Sequence, residues 1–162
     1  MKVLSKLKSK LPLIISAAIV LATFAALFVF SGQDGEESSA LSSIFVNFAI
    51  KLFRLSDDAE TVSTVTFIVR KLAHFTIFAI LGASLYSFTS SLLLLRPYVS
   101  TLIIGLCAAA LNELQQLTSA GRSASVRDVA IDFAGVIVGS LIAWGIGRLV
   151  RSRQKIKKTV DK

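Results

Sequence analysis

The chain has 162 residues, of which 54% are hydrophobic, and it carries a formal net charge of +8. Its mean hydropathy of +0.72 exceeds what a soluble domain of this size needs for a core. The apolar residues form long continuous runs, not alternating ones, which argues against a transmembrane β-barrel. The basic residues gather near the two ends, so the charge indicates attraction to anionic lipid headgroups and no nucleic acid partner.

Four apolar stretches are long enough to cross a membrane as helices, because about 20 residues span the hydrocarbon core. We therefore predict an all-α integral membrane bundle of four transmembrane helices in residues 11–150, between a basic N-terminus (1–10) and a basic tail (151–162). The first stretch follows basic residues, as a signal peptide would, but its apolar run is longer and favours an uncleaved anchor. The predicted spans are about 11–30, 72–95, 98–117 and 129–150.

Charged residues on the two sides of these spans differ in sign. Arg96 lies in the short connection between the second and third spans, whereas the long first loop is mainly acidic. The positive-inside rule then places both termini in the cytoplasm and makes this a multi-pass protein of the cytoplasmic membrane. The basic residues that precede the first span or close the last are Lys2, Lys6, Lys8, Lys10, Arg148, Arg151, Arg153, Lys155, Lys157 and Lys158.

The first outer loop contains a further segment, 41–55, whose apolar residues recur at helical spacing. It is too short to span the bilayer, so we predict a short amphipathic helix at the interface of the outer leaflet. A lid that packs on the bundle is the alternative, and either arrangement would lie near a site. The predicted apolar face consists of Leu41, Ile44, Phe45, Phe48, Leu52 and Leu55.

Polar side chains occur at the predicted outer end of three different spans. Such groups are expensive inside a bilayer, so they usually face a bundle interior or a watery cavity and mark function. Their common depth predicts one shared site. They are Arg70, Lys71 and His74 at the start of the second span, Glu113 and Gln116 near the end of the third, and Asp128 and Asp132 in the first turns of the fourth.

His74 and Glu113 are the candidate acid–base residues of this site. Arg70 and His74 are four residues apart and share a helical face, although Arg70 and Lys71 could instead extend toward lipid headgroups. His74 is suited to proton transfer or phosphate binding, with a structural histidine as the alternative. A buried Glu113 needs a partner, for which Arg70, His74 and Arg122 are candidates, and a purely structural ion pair stays open.

Asp128, Asp132, Gly135 and Gly139 follow one another at i, i+4, i+7 and i+11 in the fourth span. They form a single stripe, and the two glycines make a GxxxG pattern that allows helices to approach closely. The stripe is therefore predicted to face protein and not lipid. Asp128 could alternatively cap the helix, since acidic residues favour first turns.

Three carboxylates and one imidazole would also make a plausible set of ligands for a divalent ion, namely Glu113, Asp128, Asp132 and His74. The chain has no local ligand signature such as HExxH, no nucleophile motif of the GxSxG type, and no phosphate-binding glycine loop. The sequence therefore predicts no metal ion and no cofactor.

The order of these motifs resembles the VanZ-like family of small bacterial membrane proteins, over about residues 31–139. Two positions depart from that family's pattern: Asn112 stands where an acidic residue often precedes the glutamate, and Asp132 stands where asparagine is common. The matching motifs are Phe30-Ser31-Gly32-Gln33, Arg70-Lys71-Leu72-Ala73-His74-Phe75, Asn112-Glu113-Leu114-Gln115-Gln116, Gly121-Arg122, Asp128 and Gly135.

The resemblance implies a protein of the bacterial cytoplasmic membrane, in a family named for a teicoplanin-resistance protein. The leading hypothesis is a polar pocket at the outer leaflet that binds or modifies a cell-envelope component and alters sensitivity to lipoglycopeptides. The expected partners are membrane lipids and an envelope lipid or lipoglycopeptide-related ligand. Arg70, Lys71 and Arg122 would meet its phosphate or carboxylate groups, while Gln33, Gln116, Asp128 and Asp132 would orient the ligand or the basic residues.

Two other classes of protein fit the same residues. The first is a membrane enzyme that acts on a lipid-linked phosphate or sugar, with the same residues catalytic. The second is a scaffold in which the polar cluster only joins the helices. A transporter would need an oligomer, because four spans are few.

Overall fold

Five helices make up the part of the chain that the computed structural model describes, residues 2–31, 35–118 and 125–160, with side chains described for 11–31, 40, 42–118 and 125–153. The helices are α1 (Lys2–Ser31), α2 (Gly35–Phe53), α3 (Ala59–Ser91), α4 (Pro97–Gln116) and α5 (Val126–Val160). All but α2 are long and apolar enough to cross a membrane. This confirms the predicted all-helical bundle of four spans with one shorter helix between the first two.

One slab about 30 Å thick accommodates all four long helices. At 1.5 Å per residue, the twenty steps from Lys71 to Ser91 in α3 cover about 30 Å, and those from Asp128 to Arg148 in α5 cover the same distance. The other two spans, Leu11–Ser31 and Pro97–Gln116, match this length. The slab therefore has a polar boundary at Lys71 and Asp128 and an arginine-rich boundary at Arg148.

The long helices run in two directions. The end of α1 meets the end of α4, where Ser31 contacts Asn112, so these two helices are parallel. The starts of α3 and α5 meet at Lys71 and Asp128, so this second pair is also parallel, in the opposite direction. Beneath this polar end lies an apolar core made of Leu27, Phe78, Leu81, Leu85, Ala108, Ala109 and Val136.

Glycines set the closeness of α3 and α5. A Cβ atom on Gly135 would lie 2.5 Å from the backbone oxygen of Phe75, and one on Gly139 would lie 1.8 Å from that of Ala79. Only hydrogen atoms fit in such gaps, so the two backbones are in direct contact, as the GxxxG pattern allows. The prediction that the glycine stripe faces protein is confirmed.

The start of α3 is fixed by Asp58, which lies outside the membrane-spanning part of the helix. Its side chain accepts a hydrogen bond from the backbone N–H of Thr61 at 2.8 Å, and the hydroxyls of Ser56 and Thr61 also donate to it. The Ser56 hydroxyl, the Thr61 N–H and the Thr61 hydroxyl together lower the pKa of Asp58 from 3.8 to about 2. The sequence Ser-Asp-Asp-Ala-Glu thus begins a helix by N-capping.

The end of α3 differs from the predicted span, since the helix stops at Ser91 rather than at Leu95. Leu93 has a φ of 56°, a left-handed conformation that leucine rarely adopts, and Pro97 begins α4. The Thr101 hydroxyl donates to the Pro97 carbonyl at 2.8 Å and lies 3.0 Å from the Thr89 hydroxyl. These polar contacts join α3 to α4 at the arginine-rich boundary.

The short helix α2 packs on the first part of α3 through a narrow stripe. Val46 and Ile50 are buried against Val65. The predicted apolar face is a different one, and its described members stay exposed: Ile44 at 73%, Phe45 at 66%, Phe48 at 64%, Leu52 at 60% and Leu55 at 42%. One stripe therefore contacts protein, while the broader aromatic face is open, as an interfacial helix requires.

Candidate functional site

Polar side chains from all four long helices meet at the polar boundary, in what we call the polar layer. Within the described residues it comprises Ser31, Lys71, His74, Asn112, Glu113, Gln116, Asp128 and Asp132. Five of them, Ser31, Asn112, Glu113, Gln116 and Asp132, are at most 6% exposed. Side chains so polar are seldom buried without partners, so each contact in the layer has energetic consequences.

Two contacts join α3 to α5 in register. The Lys71 Nζ lies 2.5 Å from Asp128 Oδ1, and the His74 Nδ1 lies 3.5 Å from Asp132 Oδ1. From the first pair to the second, the residue on α3 and the residue on α5 each advance by about one helical turn, as expected for two parallel helices in close contact. The Lys71 ammonium also lies 5.1 Å from the centre of the Phe67 ring, a cation–π distance.

The first of these pairs changes the expected role of Lys71. A free ammonium was predicted to meet phosphate or carboxylate on a ligand, whereas in the structure it meets the carboxylate of Asp128. At the start of α5 the Ser125 hydroxyl accepts a hydrogen bond from the Arg127 backbone N–H at 3.2 Å. Asp128 is therefore an ion-pair partner in the first turn of α5, while Ser125 accepts the capping hydrogen bond.

Asn112 links three helices. Its Nδ2 donates to Asp132 Oδ2 at 3.2 Å, and its Oδ1 accepts a hydrogen bond from the Ser31 hydroxyl. The amide is thereby oriented by both neighbours, and one oxygen of Asp132 is satisfied. The sequence placed Asn112 and Ser31 in family motifs but did not predict either as a site residue. The available signal was that Asn112 and Asp132 are the two departures from the family pattern, and they touch each other.

Glu113 has a backbone partner. The Ser125 N–H donates to Glu113 Oε1 at 2.5 Å, while Oε2 is buried and accepts no hydrogen bond from the described residues. The charges of Asp128, Asp132 and Lys71 all act on this carboxylate. Of the three candidate partners for Glu113, His74 faces Asp132 instead, Arg70 forms no ion pair with any described carboxylate, and Arg122 lies outside the described residues.

Two further buried atoms of the layer have no hydrogen-bond partner among the residues described. They are Gln116 Nε2, a donor, and Asp132 Oδ1, an acceptor whose neighbour at 3.5 Å is the imidazole of His74. Leaving such a group unsatisfied costs about 1–3 kcal/mol. The layer therefore contains fully hydrogen-bonded side chains, such as Asn112, beside buried atoms that have no hydrogen-bond partner among the described residues.

The remaining predicted site residues contribute less to this picture. Arg70 is partly buried on α3, directly before Lys71. Gln33 and Arg122 lie outside the described residues. Within the described ranges, no group of three or more histidine, cysteine, aspartate or glutamate side chains is arranged to hold a metal ion.

Comparisons with known proteins give one match. The family described as VanZ/LLP1 matches residues 16–150, which is most of the chain and includes every helix of the bundle and all described residues of the polar layer. Searches of curated proteins and of solved structures each found no match. The motifs, the four spans and this match agree, and the chain belongs to the VanZ/LLP1 family.

Proposed function

We propose that this protein resides in the bacterial cytoplasmic membrane and binds a cell-envelope component at the polar layer. By doing so it would alter sensitivity to lipoglycopeptides such as teicoplanin. Its family supports the membrane location, and the basic ends support an orientation with both termini in the cytoplasm. In that orientation the polar layer lies at the outer leaflet, where envelope precursors and lipids are accessible.

One observation carries the proposal: the buried polar layer has unfilled hydrogen-bonding capacity. A cluster that only joined helices would be expected to satisfy all of its buried groups, as Asn112 is satisfied. Glu113 Oε2 and Gln116 Nε2 instead lack partners within the described chain, and the nearest group described for Asp132 Oδ1 is the His74 imidazole at 3.5 Å. Groups of this kind, at the end of α4 in a layer to which four helices contribute, are suited to completion by a ligand.

A second candidate is a membrane enzyme acting on a lipid-linked phosphate or sugar. The observation that favours it is the approach of Asp132 to His74, because a carboxylate beside one ring nitrogen orients a histidine for acid–base chemistry at the other. Turnover of labelled envelope lipids by the purified protein would distinguish this candidate. Tight binding without any product would favour the binding protein.

The first test is teicoplanin sensitivity of a susceptible Gram-positive host that expresses the wild type or Glu113→Gln at equal membrane abundance. The amide keeps an acceptor oxygen for the Ser125 N–H, but it removes the charge and replaces the unfilled acceptor Oε2 with an NH₂ donor. We expect resistance from the wild type and its loss in the variant. Glu60→Gln is the matched control, since Glu60 is exposed at the start of α3.

Three outcomes would count against the proposal. Equal resistance from Glu113→Gln would reduce Glu113 to a structural role. Failure of Glu113→Gln, but not of Glu60→Gln, to reach the membrane abundance of the wild type would indicate a stability effect. No resistance from the wild type would separate the chain from the phenotype for which its family is named, and direct lipid binding would then be the deciding measurement.

A further inference from the structure

The charges in the polar layer argue against a phosphate group as the ligand. The layer contains three carboxylates, and the charges of Asp128 and Asp132 both act on that of Glu113. Lys71 is neutralised by Asp128 at 2.5 Å, and His74 is the other basic side chain in the described layer. A phosphate entering this layer would meet an excess of negative charge at low dielectric, where repulsion is strong.

One carboxylate oxygen of the layer, Asp132 Oδ1, requires a hydrogen-bond donor. Asp132 Oδ2 receives the Asn112 Nδ2, but Asp132 Oδ1 is buried and accepts no hydrogen bond among the side chains described. The His74 Nδ1 is 3.5 Å from that oxygen. A buried carboxylate oxygen needs a donor, so the proton of a neutral imidazole belongs on Nδ1.

This assignment leaves the other ring nitrogen, Nε2, as an acceptor. His74 retains 27% exposure of its side chain, whereas Asp132 retains 1%, so an incoming group meets the imidazole first. Asp132 thus acts as a positioning residue: Asn112 and Ser31 hold it from one side, and it orients His74 on the other. The contacts from Ser31 through Asn112 and Asp132 to His74 thus orient the imidazole so that its Nε2 is an accessible acceptor at the polar boundary.

A hydroxyl group fits the remaining groups better than an ammonium. Glu113 Oε2 needs a donor, and Gln116 Nε2, three residues further along α4, needs an acceptor. A hydroxyl can donate and accept, while an ammonium can only donate. The exposed apolar side chains of α2 and of the four candidate spans would offer contacts to the acyl chains of a lipid.

We propose that the polar layer binds the hydroxyl-bearing headgroup of a neutral glycolipid, with His74 Nε2 as an acceptor and Asp132 as the residue that positions the imidazole. This inference rests on the proposed function and specifies its ligand class. The carboxylates select against phosphate. The unfilled acceptor of Glu113 and the unfilled donor of Gln116 together select for groups that both donate and accept.

The first experiment reads the tautomer of His74, which is the single histidine of the chain and gives one set of ¹⁵N signals. The full-length protein in lipid nanodiscs should show the proton on Nδ1. Asp132→Asn should lose that preference, while the control Asp128→Asn, which alters the neighbouring Lys71 pair, should retain it. A proton on Nε2 in the wild type would overturn the assignment.

The second experiment measures lipid retention by native mass spectrometry of the purified full-length chain. Diglycosyldiacylglycerol is compared with diacylglycerol of the same acyl chains, phosphatidic acid and phosphatidylethanolamine. We expect the glycolipid to bind at least about tenfold more tightly than diacylglycerol, and Asp132→Asn and Gln116→Met to lose about tenfold, the equivalent of 1.4 kcal/mol. Gln115→Met is the matched control, because Gln115 donates to the Phe28 carbonyl and leaves the buried groups of the layer unchanged.

Each other result has a distinct meaning. Equal binding of glycolipid and diacylglycerol, or a glycolipid preference unaffected by Gln116→Met, would overturn the hydroxyl site. Preference for phosphatidic acid would assign an anion site, and preference for phosphatidylethanolamine an ammonium site, and either result would leave the proposed function standing. Retention of none of the lipids would count against the proposed function itself.

Discussion

Replacing Gly139 with alanine is expected to push α3 and α5 apart. The new Cβ atom would lie 1.8 Å from the backbone oxygen of Ala79, and real Cβ atoms essentially never come closer than 3.0 Å. The backbones must therefore separate by at least 1.2 Å, which is 3.0 minus 1.8, at this point. The obstacle is the backbone of a packed helix, so no side-chain rotation relieves the clash.

The size of the effect follows from two opposing terms. Overpacking a well-packed interior costs about 1–3 kcal/mol, whereas glycine-to-alanine in a helix contributes about 0.5–1 kcal/mol in the stabilising direction. We expect a net destabilisation of about 1–2 kcal/mol. If the displacement continues along the helices, the His74–Asp132 contact at 3.5 Å is lost as well.

The assay is denaturant-induced unfolding of the purified protein in mixed micelles, followed by circular dichroism. Gly145→Ala is the control, because it makes the same change in the same helix and its Cβ atom would meet nothing within 4 Å. That variant should be as stable as the wild type or slightly more stable. If Gly139→Ala and Gly145→Ala unfold at the same denaturant concentration, the close approach of α3 and α5 is refuted.

Three further predictions concern other contacts. Exchanging the buried pair, Asn112→Asp with Asp132→Asn, keeps one amide against one carboxylate. Each single change should cost about 1–3 kcal/mol in unfolding experiments, and the double variant should recover most of that loss. Additive losses would contradict the pairing. Thr101→Val removes the hydroxyl that contacts Thr89 and should cost about 1 kcal/mol in the same assay, so an unchanged midpoint would rule out a net contribution. Because the folded pKa of Asp58 is lowered from 3.8 to about 2, its capping bond should be complete above pH 3.8 and be lost as the pH falls through about 2. The Thr61 amide proton shift, read by NMR, should follow that loss, and in Asp58→Ala it should no longer do so.

The spans could be predicted from the sequence because a bilayer imposes a length on each helix. Apolar runs of about 20 residues have few alternatives to a membrane helix. The helix ends were less predictable. Helix α3 ends at Ser91, and the connection to Pro97 at the start of α4 includes Leu93 in a left-handed conformation. Hydropathy continues through Leu95 and carries no signal of that turn.

The packed face of α2 was hidden by its composition. Helical spacing identified the face with the largest side chains, but Val46 and Ile50 make the contact with α3. In a membrane protein the largest apolar groups need not point inward, since lipid is as favourable a neighbour as the core. Periodicity alone therefore identified the helix but not the face that meets the protein.

The depth of the polar residues was predictable, but their partners were not. Hydropathy placed His74, Glu113 and Asp132 at one end, whereas the register of α3 against α5 decides that His74 meets Asp132. That register depends on which α3 residues Gly135 and Gly139 contact. It is set by the packing of both helix surfaces and cannot be read from either helix alone. Asn112 carries no charge, so its only signal was its departure from the family pattern.

Val136 has a consequence for permeation. Its side chain would meet a Cβ on Gly105 of α4 at 2.4 Å, its backbone oxygen would meet one on Gly82 of α3 at 2.2 Å, and it is 0% exposed. Three helices thus close on one valine directly below the polar layer, where Phe78 and Leu81 are also fully buried. The described interior is closed at this depth, so passage of a solute through a single copy would require α3 to separate from α5.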